Sequence, residues 1–536
     1  MSKRTAVVYS VCITLLMSMV LRLCWVWQNN GFVQAMSGQS RYTLQVGSRK
    51  GGIYDRNMEP LVDREYRTLS AVVPTAESLQ ALHNLEGQQR RTLLALMENR
   101  KPFLYEGELG DYSGITTYHL PLRYTDPLAA HLIGYQNGQG QGVSGIEAAY
   151  NDFLEQMRES YSISCSVDAI GQVLQGEVSA DQPSERVGGV VLSIDRNFQQ
   201  AAEQALQDCR IDAGAVVITD IWTGQLLAMA SCPTFDPNNV AAALQDENSP
   251  LVNRALSAYN VGSVFKLVVA AAALEEGIPT TLTLECPGYI EVDGTVFRCH
   301  NLAGHGQIDM TEAVKRSCNV YFIKLAQQLG GEPIRQMAAA LGFGSSTQLA
   351  DGIVGVSGEL TAQNLLQGGE LANFAFGQGR LTATPLQLAA ATAAIANGGQ
   401  YHIPQLVLGT TAHGTAIDHP TEPYAVGQAM SAQTADILRD MMVQVVEEGS
   451  GGKAKPTVGG AGGKTASAQT GRLNEEGSEV VQAWFAGFYP AQAPRWAIVV
   501  LCEDGGSGGD VAAPVFGRIC NSIAALGYVA SDLKIP

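Results

Sequence analysis

Residues 5–21 (TAVVYSVCITLLMSMVL) carry no charge and are mostly apolar, and the run continues through Arg22 to Trp25 and Trp27. About 20 such residues can cross a bilayer as one helix, because a helix satisfies its own backbone polar groups. No other feature limits the chain as much, since everything after it must fold on one side of a membrane. Lys3 and Arg4 precede the run, so its positive end is expected in the cytoplasm and nearly all of the chain outside. Arg22 can snorkel toward the far surface, where the two tryptophans suit the interface. The competing reading is a cleaved secretory signal. Its apolar core would be unusually long, and Val33-Gln-Ala35 is a weak cleavage site, so an uncleaved anchor is expected over residues 1–28.

The 536 residues leave room for two or three domains beyond the anchor. Apolar residues make up 46% and charged residues 16%, the balance of a globular chain rather than a disordered one. A formal charge of −17 argues against a nucleic-acid partner, which calls for clustered Lys and Arg, and keeps the soluble bulk off anionic surfaces. Ten cysteines in so long a chain do not make a disulfide scaffold. Cys286 and Cys299 flank a segment that reads as a hairpin (CPGYIEVDGTVFRC) and could pair in an oxidising exterior. His300 and His305 follow closely, but the gap between the cysteines is wider than the common zinc pattern, so scattered free thiols are expected rather than a metal site.

No repeat of about 20–50 residues is apparent. Residues 42–73 read as β-rich, with Ile53-Tyr-Asp-Arg-Asn57 as a strand entering a turn. Leu79, Leu82, Leu85, Leu93 and Leu94 give helical periodicity over 77–97. A Gly/Gln-rich loop, 134–142, leads into a helix expected over 145–157. Residues 181–189 read as a connector. The boundaries expected are an anchor at 1–28, a β-rich domain at 29–185 and an α/β domain at 186–536. In the last, strands are expected over 213–220, 225–231, 457–470, 480–489 and 495–502. Helices are expected over 264–274, 309–329, 384–396 and 514–526. Strands from both ends would then form one sheet with the helices between.

Three signatures in that region carry chemistry. In Ser263-Val-Phe-Lys266 the serine opens an apolar helix, whose N-terminal dipole stabilises developing negative charge. Lys266 lies almost one turn on, on the same face. A free serine is a poor nucleophile, and a neutral lysine beside it can act as its base once burial or a second cation lowers the lysine's pKa. Alone, this spacing would arise by chance about once in such a chain. Ser317-Cys-Asn319 falls in the next helical region; its serine can pass a proton to a leaving group, and its amide can donate to a carbonyl and hold a lysine. Taken singly, it equally fits a helix interior facing solvent. Lys464-Thr-Ala466, with Ser467, lies in a Gly-flanked strand. There Lys464 can hold an anionic substrate end and depress Lys266, and the Thr465 and Ser467 hydroxyls suit a carboxylate. The backbone N–H groups of Ser263 and Ser467 could form an oxyanion hole. Order, spacing and context together favour one acyl-transfer site over three coincidences.

With these motifs the chain resembles the class B penicillin-binding proteins, which are peptidoglycan D,D-transpeptidases. Asn253-Arg-Ala255 and Tyr259-Asn-Val-Gly-Ser-Val-Phe-Lys266 match the approach to the nucleophile. Ser193-Ile-Asp-Arg196, Gly214-Ala-Val-Val217, Leu227-Ala-Met-Ala-Ser231, Gly304-His-Gly306, Gly377-Gln-Gly379, Thr384-Pro-Leu-Gln387 and Ala483-Trp-Phe-Ala-Gly-Phe488 fit as well. Arg49 with Ile53–Asn57, and Gly145-Ile-Glu147, resemble the family's non-catalytic pedestal. The resemblance implies an α/β (α+β) transpeptidase fold, an antiparallel sheet with helices on both faces, plus an elongated β-rich pedestal and one transmembrane helix. It implies Ser263 as nucleophile, Lys266 as base, Ser317 and Asn319 as proton-transfer and binding groups, and Lys464, Thr465 and Ser467 as the carboxylate site. It further implies stem peptides ending in D-Ala-D-Ala as substrate and β-lactams as covalent inhibitors. A membrane-embedded glycan polymerase and cell-wall assembly proteins are the implied partners, at the bacterial cytoplasmic membrane. No metal or organic cofactor is implied.

Two positions depart from the family pattern: Ala466 stands where glycine is usual, and Val261 where proline is common. Altered β-lactam affinity with activity retained is expected from Ala466, and a slightly looser turn from Val261. A β-lactamase would share fold and nucleophile, but no Glu-x-x-Leu-Asn box follows Ser317, and Glu359 does not supply one. A scaffold that had lost activity is the other alternative. Retention of every side chain with an assigned role argues against it.

Overall fold

A computed structural model describes residues 3–28, 41–83, 85–168, 170–174, 178–424, 426–473 and 477–528. Val33-Gln-Ala35 lies outside the described residues. Lys3–Gln28 is one helix of 26 residues with a mean hydropathy of 2.1 in its most apolar window, long and apolar enough to cross a membrane.

The chain divides into two compact units, each made from separate stretches. The first comprises Met1–Lys50, Asp63–Arg123 and Arg158–Val187. In it, Arg41–Arg49 pairs antiparallel with Glu159–Ser166, and Glu65–Val72 lies between Phe103–Glu106 and Ile115–Leu122. Alternation along Glu65–Val72 sends Leu69 and Ala71 into a cluster with Tyr118, Tyr161 and Ile163. Val72 goes to a second cluster with Leu82, Leu93 and Met97, from the helices Ala76–His83 and Gly87–Met97.

The second unit comprises Gly51–Val62, Tyr124–Met157 and Gly188–Pro536. Two stretches that sequence placed within 29–185 therefore pack with the C-terminal region. The cause is visible in the hydrogen bonding: Gly52–Tyr54 pairs in parallel with Gly189–Leu192, and Asp55 accepts from the backbone N–H of Arg196 (3.1 Å). Such long-range pairing has no signal in local periodicity. The helix expected over 145–157 is two short helices, Gly145–Ala149 and Asn151–Gln156, broken at Tyr150.

The elements that position the site are, in chain order, helix α1 (Arg196–Asp208), strands β1 (Gly214–Asp220) and β2 (Leu226–Cys232), helices α2 (Lys266–Glu275), α3 (Met310–Lys315), α4 (Asn319–Leu329), α5 (Pro385–Ala396) and α6 (Ala432–Glu448), strands β3 (Gly462–Leu473), β4 (Glu479–Tyr489) and β5 (Trp496–Cys502), and helix α7 (Ala513–Ala525). The strands form one antiparallel sheet in the order β2-β1-β5-β4-β3, so strands from both ends do join. Period-two alternation builds two cores from the same strands. Ala497, Val499 and Leu501 of β5 face one core with α2, α5 and α6. Trp496, Ile498, Val500 and Cys502 face the other with α1 and α7. Helix α5 is buried along its whole length, and its start is set by a capping box in which Thr384 and Gln387 satisfy each other's backbone N–H groups (3.0 and 2.8 Å).

The helical region expected over 309–329 is broken into α3 and α4, and the Ser317 motif occupies the break rather than a helix interior. The segment between Cys286 and Cys299 does form a hairpin, Tyr289–Val292 with Thr295–Arg298. Both cysteines are free thiols, as are the other eight, which corrects the pairing considered from sequence.

Candidate active site

Gly262–Phe265 is a turn of 3-10 helix leading directly into α2, so Ser263 sits just before the α-helix and Lys266 is its first residue. Gly262 has φ of +65°. A Cβ there would stand 3.0 Å from that of Ala468 and 3.3 Å from that of Ala466, so a side chain would push the Ser263 turn off β3. Gly377, at φ of +78°, accepts from the Gly262 N–H (2.8 Å); a Cβ on it would fall 2.0 Å from the Gly262 carbonyl oxygen.

Lys266 is fully buried, and its Nζ donates to the Ser317 carbonyl (2.7 Å), the Ser317 Oγ (3.1 Å) and Asn319 Oδ1 (2.7 Å). Two of these acceptors come from one residue because Ser317 adopts a left-handed φ of +54° in the break between α3 and α4. A non-glycine residue holds that conformation only where its surroundings over-determine it. Asn319 is oriented from its other end, its Nδ2 donating to the Arg298 carbonyl (3.1 Å) of the hairpin. Burial pushes the Lys266 amine down to about 7.

Lys464 is also fully buried, and its Nζ donates to the Thr465 carbonyl (2.9 Å). Its pKa falls well below the ordinary lysine value through burial first and the Lys266 charge second. The direction is the reverse of that expected from sequence: the Lys266 charge lowers Lys464, whereas burial is what lowers Lys266. Thr465 Oγ1 lies 2.7 Å from Ser450 Oγ, and Ser467 Oγ accepts from the Gly508 N–H (3.1 Å), leaving its own proton to donate.

Strand β3 is the sheet edge. With the Gln378 amide oriented to satisfy both groups, its nitrogen donates to the Gln469 carbonyl (3.2 Å) and its oxygen accepts from the Gln469 N–H (3.1 Å). The main-chain groups of Gln469 therefore point away from β4. Two residues back along the strand, the Ser467 N–H points the same way. An outward N–H at Ser467 is what an oxyanion donor needs. Ser450 and Gln378 went unassigned in the sequence reading: Ser450 lies in an unremarkable Gly-rich stretch, and Gln378 shows its role only when its loop meets β3.

The Ala466 methyl is almost fully buried and faces Gly262, on the Ser263 side of the strand. Ala466→Gly should therefore cost about 1 kcal/mol of stability and leave β-lactam acylation within about threefold. Ala466→Val should overpack against Gly262, costing ~1–3 kcal/mol and slowing acylation at least about tenfold. Thermal denaturation and timed penicillin labelling of the two variants would check this.

Cys318, inside the Ser317 motif, lies beside Cys299 (Sγ to Sγ, 3.9 Å), while Cys286 and Cys299 each lie 3.6 Å from His305 Nδ1. From sequence, scattered free thiols were expected rather than a metal site of Cys286 and Cys299 with His300 and His305; the packing gathers Cys286, Cys299 and His305 with Cys318. A cysteine within a signature otherwise read for its serine and asparagine was the available clue.

Residues 214–521 match the family model described as the penicillin binding protein transpeptidase domain. Stage V sporulation protein D of Bacillus subtilis (strain 168) is 32% identical in an alignment of 541 positions, gaps included, that covers 91% of this chain and 81% of that protein. The crystal structure of penicillin-binding protein 3 from Mycobacterium tuberculosis complexed with ampicillin is 25% identical, with a TM-score of 0.67 over 92% of this chain and 99% of that one. A solved structure concerned with the coordination of polymerization and crosslinking by a peptidoglycan synthase complex is 25% identical. Its TM-score is 0.70, over 99% of this chain and 100% of that one.

Proposed function

This chain belongs to the class B penicillin-binding proteins, a family of peptidoglycan D,D-transpeptidases, and from that premise we propose how its own residues carry out cross-linking. Ser263 Oγ attacks the carbonyl of the D-Ala-D-Ala bond in one stem peptide, and its proton passes to the neutral Lys266 Nζ. The tetrahedral oxyanion is held by the N–H groups of Ser263 and Ser467. Ser317 relays the proton from Lys266 to the departing amine, so that D-alanine leaves and an acyl-serine remains. An amine of a second stem then attacks the acyl carbon, loses a proton to the same lysine and restores Ser263. Lys464, Thr465 and Ser467 hold the terminal carboxylate of the donor stem, and Asn319 keeps Lys266 in place.

The observation that carries this reading is the burial of Lys266 against Ser317 and Asn319, which supplies a lysine poised near neutrality rather than a permanent cation. β-Lactams mimic the donor amide and would acylate Ser263. The N-terminal helix would anchor the chain in the bacterial cytoplasmic membrane as a single pass, with the unit of Gly51–Val62, Tyr124–Met157 and Gly188–Pro536 as the transpeptidase domain on the outer side. Asp63–Arg123 and Arg158–Val187, with the strand Arg41–Arg49, would serve as a non-catalytic pedestal for contacts with assembly proteins. A glycan polymerase is the expected partner, by analogy with the synthase complex among the similar structures.

The test is to supply glycan strands bearing pentapeptide stems. Expected are equimolar D-alanine and cross-linked dimers, both blocked by penicillin. Turnover of a chromogenic cephalosporin at enzyme-like rates, without dimers, would instead mark a hydrolase.

A further inference from the structure

We propose that Cys286, Cys299, His305 and Cys318 bind one zinc ion in a tetrahedral site, and that this ion positions Ser317 and Asn319 against Lys266. Three of the four residues are buried, and one ligand atom from each lies within 4.8 Å of all the others. Three of the six spacings match those of a tetrahedron around zinc. Bonds of about 2.3 Å to sulfur and 2.0–2.1 Å to nitrogen put two sulfurs about 3.8 Å apart and a sulfur and a nitrogen about 3.6 Å apart. The two Sγ–Nδ1 contacts are 3.6 Å and the Cys299–Cys318 contact is 3.9 Å. Three thiols and an imidazole select a soft or borderline ion over magnesium or calcium. On binding, the three thiols release their protons and the site carries a net charge of −1. No open coordination position remains, as in structural rather than catalytic zinc sites.

The ligands come from three segments, which hydrogen bonds already join: the His305 N–H donates to the Cys286 carbonyl (2.9 Å) and Asn319 Nδ2 to the Arg298 carbonyl (3.1 Å). Cys286 ends a short strand, Leu284–Cys286, paired with Gly306–Ile308, and His305 directly precedes that second strand. Cys299 follows the hairpin whose Arg298 carbonyl holds Asn319. Cys318 caps α4, its Sγ accepting from the Tyr321 N–H (3.4 Å). Its two chain neighbours are Ser317, in its left-handed conformation, and Asn319, both bound to Lys266. An ion bonded to Cys318 and Cys299 ties that turn to the hairpin and holds both residues that accept from the lysine. Cys318 is thus a positioning residue, and this half of the proposal rests on Lys266 being the base.

The experiment uses the full chain, purified in detergent without added metal. Wild type should contain about one zinc per chain by elemental mass spectrometry, and its cobalt-substituted form should show the thiolate charge-transfer and intense visible bands of tetrahedral Co(II). Cys286→Ser should lose zinc, while Cys286→Asp, which restores a ligand of similar size, should keep it. Zinc-free protein, from Cys286→Ser or from chelation of wild type, should acylate with fluorescent penicillin about 10–100-fold more slowly. The pH midpoint of its acylation should move, and zinc should restore both in the chelated wild type. Wild type without zinc, full zinc in Cys286→Ser, or a disulfide among these cysteines in non-reduced peptides would overturn the site. Zinc-free wild type with unchanged rate and pH midpoint would overturn the positioning role. Because zinc content is read without any acylation, failure of the metal site and failure of the catalytic reading are distinguishable.

Discussion

Fluorescent penicillin should label the wild-type chain at one serine, and Ser263→Ala should take up none, a loss of about 10⁴-fold or more. Ser263 occupies a short 3-10 turn and is only half-buried, so removal of one hydroxyl leaves the turn, the Gly262–Gly377 hydrogen bond and the packing of Ala466 and Ala468 in place. The variant should therefore unfold within about 0.5 kcal/mol of wild type. Mass spectrometry of the labelled peptide would locate the adduct. Equal labelling of Ser263→Ala, or an adduct on another residue, would reject the assignment of the nucleophile.

The second large effect concerns the base. As the proposed base, Lys266 must be neutral to accept the serine proton, and burial brings its pKa down to about 7. Below that pH the amine carries a proton and cannot serve; above it the neutral form dominates. The acylation rate should rise about tenfold per pH unit below neutrality and level off above about 7. Lys266→Met should lower the rate about 10²–10⁴-fold and abolish this pH dependence. Lys266→Arg should stay inactive at every pH, because a guanidinium does not deprotonate in a protein. Removing the amine strands the Ser317 carbonyl and Asn319 Oδ1, at about 1–3 kcal/mol, but also removes the cost of burying an ionisable group. The Met variant should stay folded, and circular dichroism would check it. A Lys266→Met protein that keeps the wild-type profile would identify another group as base.

Much of the sheet was legible beforehand. β1, β4 and β5 are short, nearly continuous apolar runs, the mark of strands buried on both faces, which needs no knowledge of partners. The helix expected over 384–396 was legible in the same way, from its own apolar run. The helix expected over 309–329 failed at one point. Apolar periodicity runs on through Ser317, and nothing local announces that this residue turns left-handed to face a lysine from another helix. The same limit explains Gly51–Val62 and Tyr124–Met157. Each reads as part of the region preceding it, and only pairing with strands and loops far along the chain assigns them to the second unit.

Sequence by itself determined the chemistry available: a serine and a lysine almost one turn apart, a second serine and asparagine, a lysine strand, and an apolar run long enough for a membrane. These depend on residue type and near-neighbour spacing, which covalent geometry carries unaided. Tertiary structure alone decided which groups meet. It aimed two acceptors of Ser317 at Lys266, turned the Ala466 methyl toward the nucleophile turn rather than outward, and brought Cys286, Cys299, His305 and Cys318 to within 4.8 Å of one another. Convergence of this kind depends on how segments pack across long stretches of chain, and that information is held by the whole core rather than by any one window of sequence.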